Sequence, residues 1–131
     1  MASVFTMIIN GDLPAHFVYR DDVCSAFMSI APLATGHTLV VPNKEVDHWL
    51  DLDASTLEHL MEVSRDIGAA IDAAYSPAKV GLMIAGLEVP HVHVHLVPIN
   101  AATDLDFANA KEVGSDALAE AANTIKSHVT R

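Results

Sequence analysis

The sequence predicts an α+β fold, in which a five-stranded antiparallel sheet packs against helices on one side. Three strand-like segments precede the one long helical pattern and two follow it, and short turns connect consecutive strands. Short turns connect antiparallel strands, whereas parallel strands need long crossovers. The pattern therefore argues against a doubly wound α/β fold, and the length of 131 residues predicts a single domain.

Hydrophobic periodicity locates the individual elements along the chain. A short helical turn is predicted over residues 4–10, where Gly11 and Pro14 interrupt the apolar run. The long helix is predicted to begin at Ser55, because Ser55 and Glu58 have the spacing of a capping box. The predicted strands are residues 17–19, 23–28, 38–42, 80–85 and 91–99, and a C-terminal helix is predicted to begin near Ser115.

The charge balance limits the kinds of partner. Seven lysine and arginine residues face seventeen aspartate and glutamate residues, for a formal net charge of −10. Such a surface repels polynucleotides, so we expect no polymeric nucleic acid as a partner. A small phosphate ester is still compatible with this charge, because a local site can be positive on an acidic protein.

Three further features concern location. No segment approaches the roughly twenty apolar residues of a membrane span, so no membrane contact is expected. The N-terminus has neither a basic segment nor a long apolar run, and no signal peptide is expected. Cys24 is the single cysteine, which rules out an internal disulfide and fits a reducing compartment. We therefore expect a cytoplasmic protein.

Residues 91–98 contain the strongest evidence for chemistry, with the sequence His-Val-His-Val-His-Leu-Val-Pro. Because side chains alternate between the two faces of a strand, this segment predicts His91, His93 and His95 on one face. The apolar residues between them would then face the core. A face of three imidazoles suits a phosphate, a metal ion, an acid or solvent.

The spacing limits what three imidazoles can do together. Residues two apart on a strand are separated by about 6.6 Å, so His91 and His95 would lie roughly 13 Å apart at Cα. A zinc ion holds nitrogen ligands at about 2.0–2.1 Å, and it could gather two adjacent rings more readily than three. A row of rings suits in-line transfer at phosphorus, because the attacking group, the phosphorus and the leaving group lie along one line. Imidazole can act there as a nucleophile, a hydrogen-bond donor or an acid.

Residues 91–97 match the pattern His-φ-His-φ-His-φ-φ, in which φ is apolar, at every position. On this motif the chain resembles the histidine triad (HIT) family of nucleotide hydrolases and transferases. The likeness extends upstream to residues 12–15 (Asp-Leu-Pro-Ala), residues 36–37 (Gly-His) and residues 39–42 (Leu-Val-Val-Pro). Together these motifs are more specific than the triad alone.

The resemblance covers roughly residues 3–99 and implies a single HIT-like domain over residues 1–131. Residues 100–131 would then be a variable C-terminal tail that contains a helix. The resemblance also implies a two-fold homodimer, with the long helix and the strand at residues 80–85 in the interface. An edge strand as apolar as residues 80–85 gives an independent reason to expect a partner.

The resemblance implies a role for each site residue. The middle histidine of the motif is the nucleophile of the family, so His93 is expected to attack the α-phosphorus and form a nucleotidyl-histidine intermediate. His95 would contact the phosphate oxygens, and His91 would assist through hydrogen bonds. His37, which follows a glycine in the loop, would assist at the site. The positions that line the base pocket of the family are here Phe5, Ile8, Phe27 and Ile30.

Three departures from the family pattern have chemical consequences. Ser29 replaces an aspartate that holds the ribose hydroxyls in the family, and a serine forms fewer and weaker hydrogen bonds than a carboxylate. Glu88 replaces a glutamine, serine or threonine near the phosphate. Its charge disfavours a phosphate unless the carboxyl is protonated, turned away or bound to a histidine. Ser3 and Thr6 replace the Cys-x-x-Cys pair that binds structural zinc in many bacterial members, so no zinc and no other cofactor is expected.

Three functions stay open for this sequence. The first is hydrolysis or transfer at the α-phosphate of a nucleoside phosphoramidate or a (di)nucleoside polyphosphate. The second is a catalytically weak, nucleotide-binding regulatory protein, which Ser29, Leu87 and Glu88 favour. The third is a metal-dependent enzyme that uses two rings of the triad. The first, with a small nucleotide as substrate and no polymeric partner, is our prediction.

Overall fold

The computed structural model describes residues 2–131 and confirms the α+β architecture with a five-stranded antiparallel sheet. In chain order the elements are α1 (Val4–Ile9), β1 (Phe17–Arg20), β2 (Cys24–Met28), β3 (Thr38–Pro42), α2 (Ala54–Tyr75), β4 (Lys79–Met83), β5 (Val94–Ile99) and α3 (Ser115–Lys126). Short 3-10 turns lie at Trp49–Asp51, Ala102–Leu105 and Phe107–Asn109. The C-terminal helix begins at the predicted residue.

The strand order places the histidine motif inside the sheet. The strands are arranged β1-β2-β3-β5-β4, and every neighbouring pair is antiparallel. His95 of β5 lies opposite Leu39 of β3 and opposite Met83 of β4. It therefore has a strand on each side, while β4 forms an edge of the sheet.

Helices cover the two faces of the sheet unequally. α2 and α3 share a buried apolar cluster with Val94 and Leu96 on one face. α1 lies against the opposite face, where Phe5 packs with Phe27 and Leu39. The prediction that all helices lie on one side was wrong for α1, because Phe5 finds a second, smaller apolar surface between strands β2 and β3.

The start of α2 differs from the prediction. The helix begins at Ala54, because the side chain of Asp53 accepts the N–H of Thr56 at 2.9 Å. A carboxylate at this position caps the helix two residues before the predicted box at Ser55. Neither α2, with 22 residues, nor any other helix among the described residues is apolar enough to cross a membrane.

The connection between β4 and β5 is a loop that includes residues 84–85 and 91–93, for which the sequence predicts strand. β5 begins at Val94 rather than at His91, since the N–H of Val92 donates to the carbonyl of Val46 at 2.8 Å, outside the sheet. β4 likewise ends two residues earlier than predicted. The first two histidines of the motif therefore lie on loop backbone just ahead of the strand, and only His95 lies on β5.

Candidate functional site

Four buried histidines meet on the face of the sheet that α1 covers. His91 and His93 precede β5, His95 lies on it, and His37 directly precedes β3. The ring centroids of His93 and His95 lie 4.7 Å apart, and those of His37 and His95 lie 5.2 Å apart. All four residues are at most 4 % exposed. The structure thus brings together every histidine that the resemblance assigned to the site.

A chain of hydrogen bonds determines which nitrogen of His95 has the proton. The backbone N–H of Leu33 donates to Nδ1 of His37 at 3.0 Å, so neutral His37 has its proton on Nε2. That Nε2–H donates to Nδ1 of His95 at 3.0 Å, and neutral His95 then has its proton on Nε2. This buried Nε2 has no hydrogen-bond partner within the described chain. His95 therefore offers an unused donor to a ligand.

Burial keeps His37 and His95 neutral near pH 7, as this chain of donors requires. Burial, together with the neighbouring rings of His95 and His93, lowers the pKa of His37 to about 3. Burial and the ring of His93 also lower the pKa of His95 to about 4, although Glu88 opposes the shift. Both rings are therefore uncharged donors or acceptors at neutral pH, not cations.

His93 turns one nitrogen toward the site. Its Nδ1 lies 2.7 Å from the carbonyl oxygen of His91, which can only accept, so Nδ1 has a proton and donates it. Its Nε2 lies 2.7 Å from Oε1 of Glu88. Burial raises the pKa of Glu88, but the hydrogen bond from His93 and the nearby rings outweigh burial and leave that pKa below its usual value. Glu88 and His93 therefore form a close hydrogen-bonded pair with one proton between them.

His91 is held at both ring nitrogens. Its Nε2–H donates to the carbonyl of Pro42 at 2.8 Å, and its Nδ1 accepts from the hydroxyl of Ser3 at 2.6 Å. Glu45 accepts the N–H of Ser3 at 2.6 Å and the hydroxyl of Thr6 at 2.7 Å. Because neither nitrogen is free, His91 holds the backbone beside His93 and anchors α1. Sequence reasoning missed Glu45, which no local pattern distinguishes.

A mainly apolar cavity of about 220 Å³ opens beside His93 and His95. Its walls include every residue that the sequence assigned to substrate binding, namely Phe5, Ile8, Phe27, Ser29, Ile30 and Glu88. Phe5 contacts the ring of His93 edge-on, with centroids 4.8 Å apart. Four larger cavities, of about 280 to 370 Å³, lie elsewhere among the described residues, and none of the four site histidines lines them. The smaller cavity is therefore the candidate site, because it adjoins the open ring nitrogens.

The C-terminal tail also reaches the site. The ring of Phe107, in the turn Phe107–Asn109, lies edge-on to the ring of His95 with centroids 5.2 Å apart. Phe107 is 43 % exposed, so it covers the site only in part. Phe107 is the one aromatic residue of residues 100–131, and this is the sequence signal that marks it as a possible anchor of the tail.

Two groups of side chains among the described residues bring metal-type ligand atoms within 4.8 Å of one another. The groups are Asp21, Cys24 and His59, and Glu88, His93 and His95. Glu88 and His93 approach to 2.7 Å, which is a hydrogen-bond distance. Two ligands of one tetrahedral zinc lie about 3.3 Å apart, given bonds of about 2.0–2.1 Å. We therefore interpret the second group as a hydrogen-bonded acid and base beside an imidazole.

The fold and the buried histidine row define a histidine triad protein, and comparison with known proteins agrees. A family model described as the HIT domain matches residues 10–102. This chain belongs to the HIT family, a family of nucleotide-binding proteins.

Individual relatives support this membership. An uncharacterized HIT-like protein of Borreliella burgdorferi is 37 % identical over 102 residues, which are 72 % of this chain and 73 % of that protein. A bis(5'-nucleosyl)-tetraphosphatase (asymmetrical) of Schizosaccharomyces pombe is 35 % identical over 85 residues, which are 61 % of this chain and 47 % of that protein. A crystal structure of a Hit-like protein from Bartonella henselae, described as involved in cell-cycle regulation and as holding an unknown ligand, superimposes with a TM-score of 0.85 and 29 % identity. The match covers 96 % of this chain and 95 % of that one.

Proposed function

We propose that this protein hydrolyses a nucleotide-like substrate, or transfers its nucleotidyl group, at the α-phosphate through a nucleotidyl-histidine intermediate on His93. The substrate is a nucleoside phosphoramidate or a (di)nucleoside polyphosphate. One observation supports the proposal most directly. The carbonyl of His91 holds His93 in a single orientation, with Nε2 toward the cavity and beside the unpartnered Nε2 of His95. The likeness to the S. pombe tetraphosphatase supports the same reaction class.

Each side chain has a task in this reaction. The base occupies the apolar cavity, and Nε2–H of His95 donates to a phosphate oxygen on which charge develops. The lone pair of Nε2 of His93 forms a bond to phosphorus while the bond to the leaving group breaks on the opposite side. Water or another acceptor then displaces His93. His37 and His91 are positioning residues, since His37 fixes the tautomer of His95 and His91 orients His93.

The second candidate function is a catalytically weak, nucleotide-binding regulatory protein. Two features favour it. The carboxylate of Glu88 occupies Nε2 of His93 at 2.7 Å, where a phosphate would have to approach. Ser29 lines the cavity and offers a ribose a single hydroxyl.

Intact-mass analysis after brief exposure to adenosine phosphoramidate at mildly acidic pH tests the main proposal. An adenylyl-sized increment is expected on the parent protein and none on His93→Ala. His48→Ala is the matched control, because His48 is exposed and outside the site, and it should form the adduct as the parent does. Calorimetric binding without any increment would favour the regulatory function. Stoichiometric metal, with activity lost on chelation, would favour the metal-dependent alternative.

We propose that two copies of the chain associate as a homodimer through α2 and β4. Met61 of α2 and Leu82 of β4 are 38 % and 44 % exposed and line a common hollow with Trp49. β4 is also an edge strand, whose outer backbone groups can pair with another chain. Light scattering at micromolar concentration should give the mass of a dimer, and a monomer would contradict this.

The cytoplasmic location and the exclusion of polymeric nucleic acid stay predictions.

We propose that the region of Ser3 and Thr6 works without structural zinc. Neutral hydroxyls are not the ligands that zinc prefers. These hydroxyls are also already engaged, that of Ser3 with His91 and that of Thr6 with Glu45. Elemental analysis of the purified protein checks the proposal, and stoichiometric zinc that a Ser3→Ala variant loses would contradict it.

A further inference from the structure

Glu88 reaches into the site from an exposed loop. It lies between β4 and β5, next to Leu87, which is 94 % exposed. The side chain of Glu88 is 47 % exposed, yet its Oε1 lies 2.7 Å from Nε2 of His93 and 3.4 Å from Nε2 of His95. Within the described residues His93 forms the one short side-chain hydrogen bond to this carboxylate, and the contact with His95 is longer. Rotation of the side chain is therefore enough to release it from the rings.

The contact between Glu88 and His93 holds a proton at rest. Nδ1 of His93 already donates to the carbonyl of His91. A carboxylate oxygen and a bare imidazole nitrogen are both acceptors, and two acceptors do not approach to 2.7 Å without a proton between them. While that proton is present, Nε2 of His93 has no free lone pair. The proton has to leave with Glu88 before His93 can attack.

We propose that Glu88 is a catalytic acid and base, which takes this proton from His93 to the leaving group and later accepts a proton from the attacking water. The inference rests on the function proposed above. In-line displacement puts the leaving atom and the attacking water on the side of phosphorus remote from His93. One position of the released carboxyl group therefore serves both steps.

The two half-reactions balance. In the first, Glu88 turns away as a carboxylic acid, and the lone pair of Nε2 forms the N–P bond. The leaving atom keeps the electron pair of its broken bond and takes the proton of Glu88. In the second, the carboxylate of Glu88 accepts a proton from water, the water oxygen forms the P–O bond, and the N–P electron pair returns to Nε2. Protonated Glu88 and neutral His93 then meet again and share the proton.

This role of Glu88 selects a class of substrate. The nitrogen of a phosphoramidate departs as a neutral amine only after it gains a proton, so it needs an acid. A polyphosphate departs as a stable anion without that proton, and a nearby carboxylate repels its charge. The site is therefore suited to nucleoside phosphoramidates rather than to dinucleoside polyphosphates.

Rates with adenosine phosphoramidate and diadenosine tetraphosphate test the proposal on the parent, Glu88→Gln and Glu58→Gln. Glu58 is an exposed glutamate of α2, and its change is the matched control. We expect Glu88→Gln to lower kcat/KM for the phosphoramidate about 100-fold or more, the usual contribution of a general acid. For the tetraphosphate, kcat/KM should stay equal or rise, and the nucleotidyl adduct should accumulate because the water lacks its base. Glu58→Gln should match the parent with both substrates.

Several outcomes would overturn the proposal. Full phosphoramidate activity in Glu88→Gln, or an equal loss of kcat/KM with both substrates, would show that Glu88 has no acid–base role. His93 would still be the proposed nucleophile. A parent that forms no adduct with either substrate would overturn the proposed function as well. Glu88→Ala with added formate separates chemistry from misfolding. In a variant with the circular dichroism of the parent, formate should restore phosphoramidate turnover, and no restoration would count against the role.

Discussion

Two carboxylate–histidine pairs in this molecule have the same separation and very different surroundings. Asp21 and His59 join the β1–β2 turn to α2 at 2.7 Å, and Glu88 and His93 meet at the candidate site at 2.7 Å. Asp21 also accepts the hydroxyl of Tyr19 and two backbone N–H groups of its own turn. Glu88 has His93 as its hydrogen-bond donor and lies on an exposed loop.

The comparison shows that the number of donors around the carboxylate, and not the distance, distinguishes the pair at Asp21 from the pair that we propose to be reactive. Burial raises the pKa of Asp21, but its hydrogen bonds outweigh burial and hold that pKa well below the usual range. Glu88 has nearly half of its side chain in solvent and can release its histidine. A carboxylate–histidine contact that is partly exposed contributes little to stability. It can still govern chemistry, because it decides where a proton lies.

The largest expected difference between the two regions is their response to acid. The folded-state pKa values of His37 and His95, about 3 and about 4, lie below the value of about 6.5 for an unfolded histidine. As the pH falls from 6.5 to 4, the unfolded chain binds more protons than the folded one. Stability that is fully present above pH 6.5 is therefore lost, by up to about 1.4 kcal/mol per pH unit for each ring. Asp21, whose pKa is lowered, contributes fully above about pH 4 and loses its contribution only below it.

Urea unfolding between pH 8 and pH 3 measures the loss of stability in both pH ranges, from 6.5 to 4 and below 4. The loss from pH 6.5 to pH 4 should appear in the parent and in Asp21→Asn alike. The further loss below pH 4 should be smaller in Asp21→Asn, which has no carboxyl group to titrate at that position. A free energy of unfolding that stays level from pH 6.5 to pH 4 would contradict the neutral, buried state of His37 and His95.

The next expected effect is on stability at neutral pH. Asp21→Asn removes a charged acceptor of four hydrogen bonds and should lower the free energy of unfolding by about 2 kcal/mol. Glu88→Gln changes a half-exposed side chain and should stay within about 0.5 kcal/mol of the parent. Denaturant unfolding at pH 7 compares the two variants directly. Equal losses would mean that both pairs are structural.

Local patterns in the sequence predicted most of the fold because the elements follow side-chain periodicity. The alternation of histidine and aliphatic residues correctly placed Val94 and Leu96 in the core beneath α2. The predicted start of α2 was wrong because Asp53 and Ser55 both have side chains that can cap a helix. The backbone conformation that decides between them depends on the preceding loop, which no local pattern describes.

The candidate site was less accessible to sequence reasoning because its key contacts join distant segments. For Glu88 the sequence left three states open, namely protonated, turned away or bound to a histidine. The conformation of the loop that contains Glu88 decides among these three states. The backbone hydrogen bond from the N–H of Val92 to the carbonyl of Val46 helps to set that conformation. Glu45 contacts Ser3 across 42 residues of chain, and an exposed glutamate offers no pattern that would reveal such a contact.

The smallest expected effect concerns the cover of each pair. Asp21 and His59 have 21 % and 28 % of their side chains exposed, whereas the rings of the site are buried, in part under Phe107, whose ring centroid lies 5.2 Å from that of His95. Phe107→Ala should cost less than about 1 kcal/mol of stability, because the ring is partly exposed. It should nevertheless raise the pKa of His95 toward the usual value, since burial is the main cause of the present lowering. Phe107→Leu, which retains apolar cover, should shift that pKa less.

Proton NMR titration of the imidazole resonances measures this shift in the parent and in both variants. An unchanged midpoint for His95 in Phe107→Ala would show that the sheet and α1 alone exclude water from the ring. The two pairs would then differ only in the donors around their carboxylates, and the C-terminal tail would have no part in the electrostatics of the site.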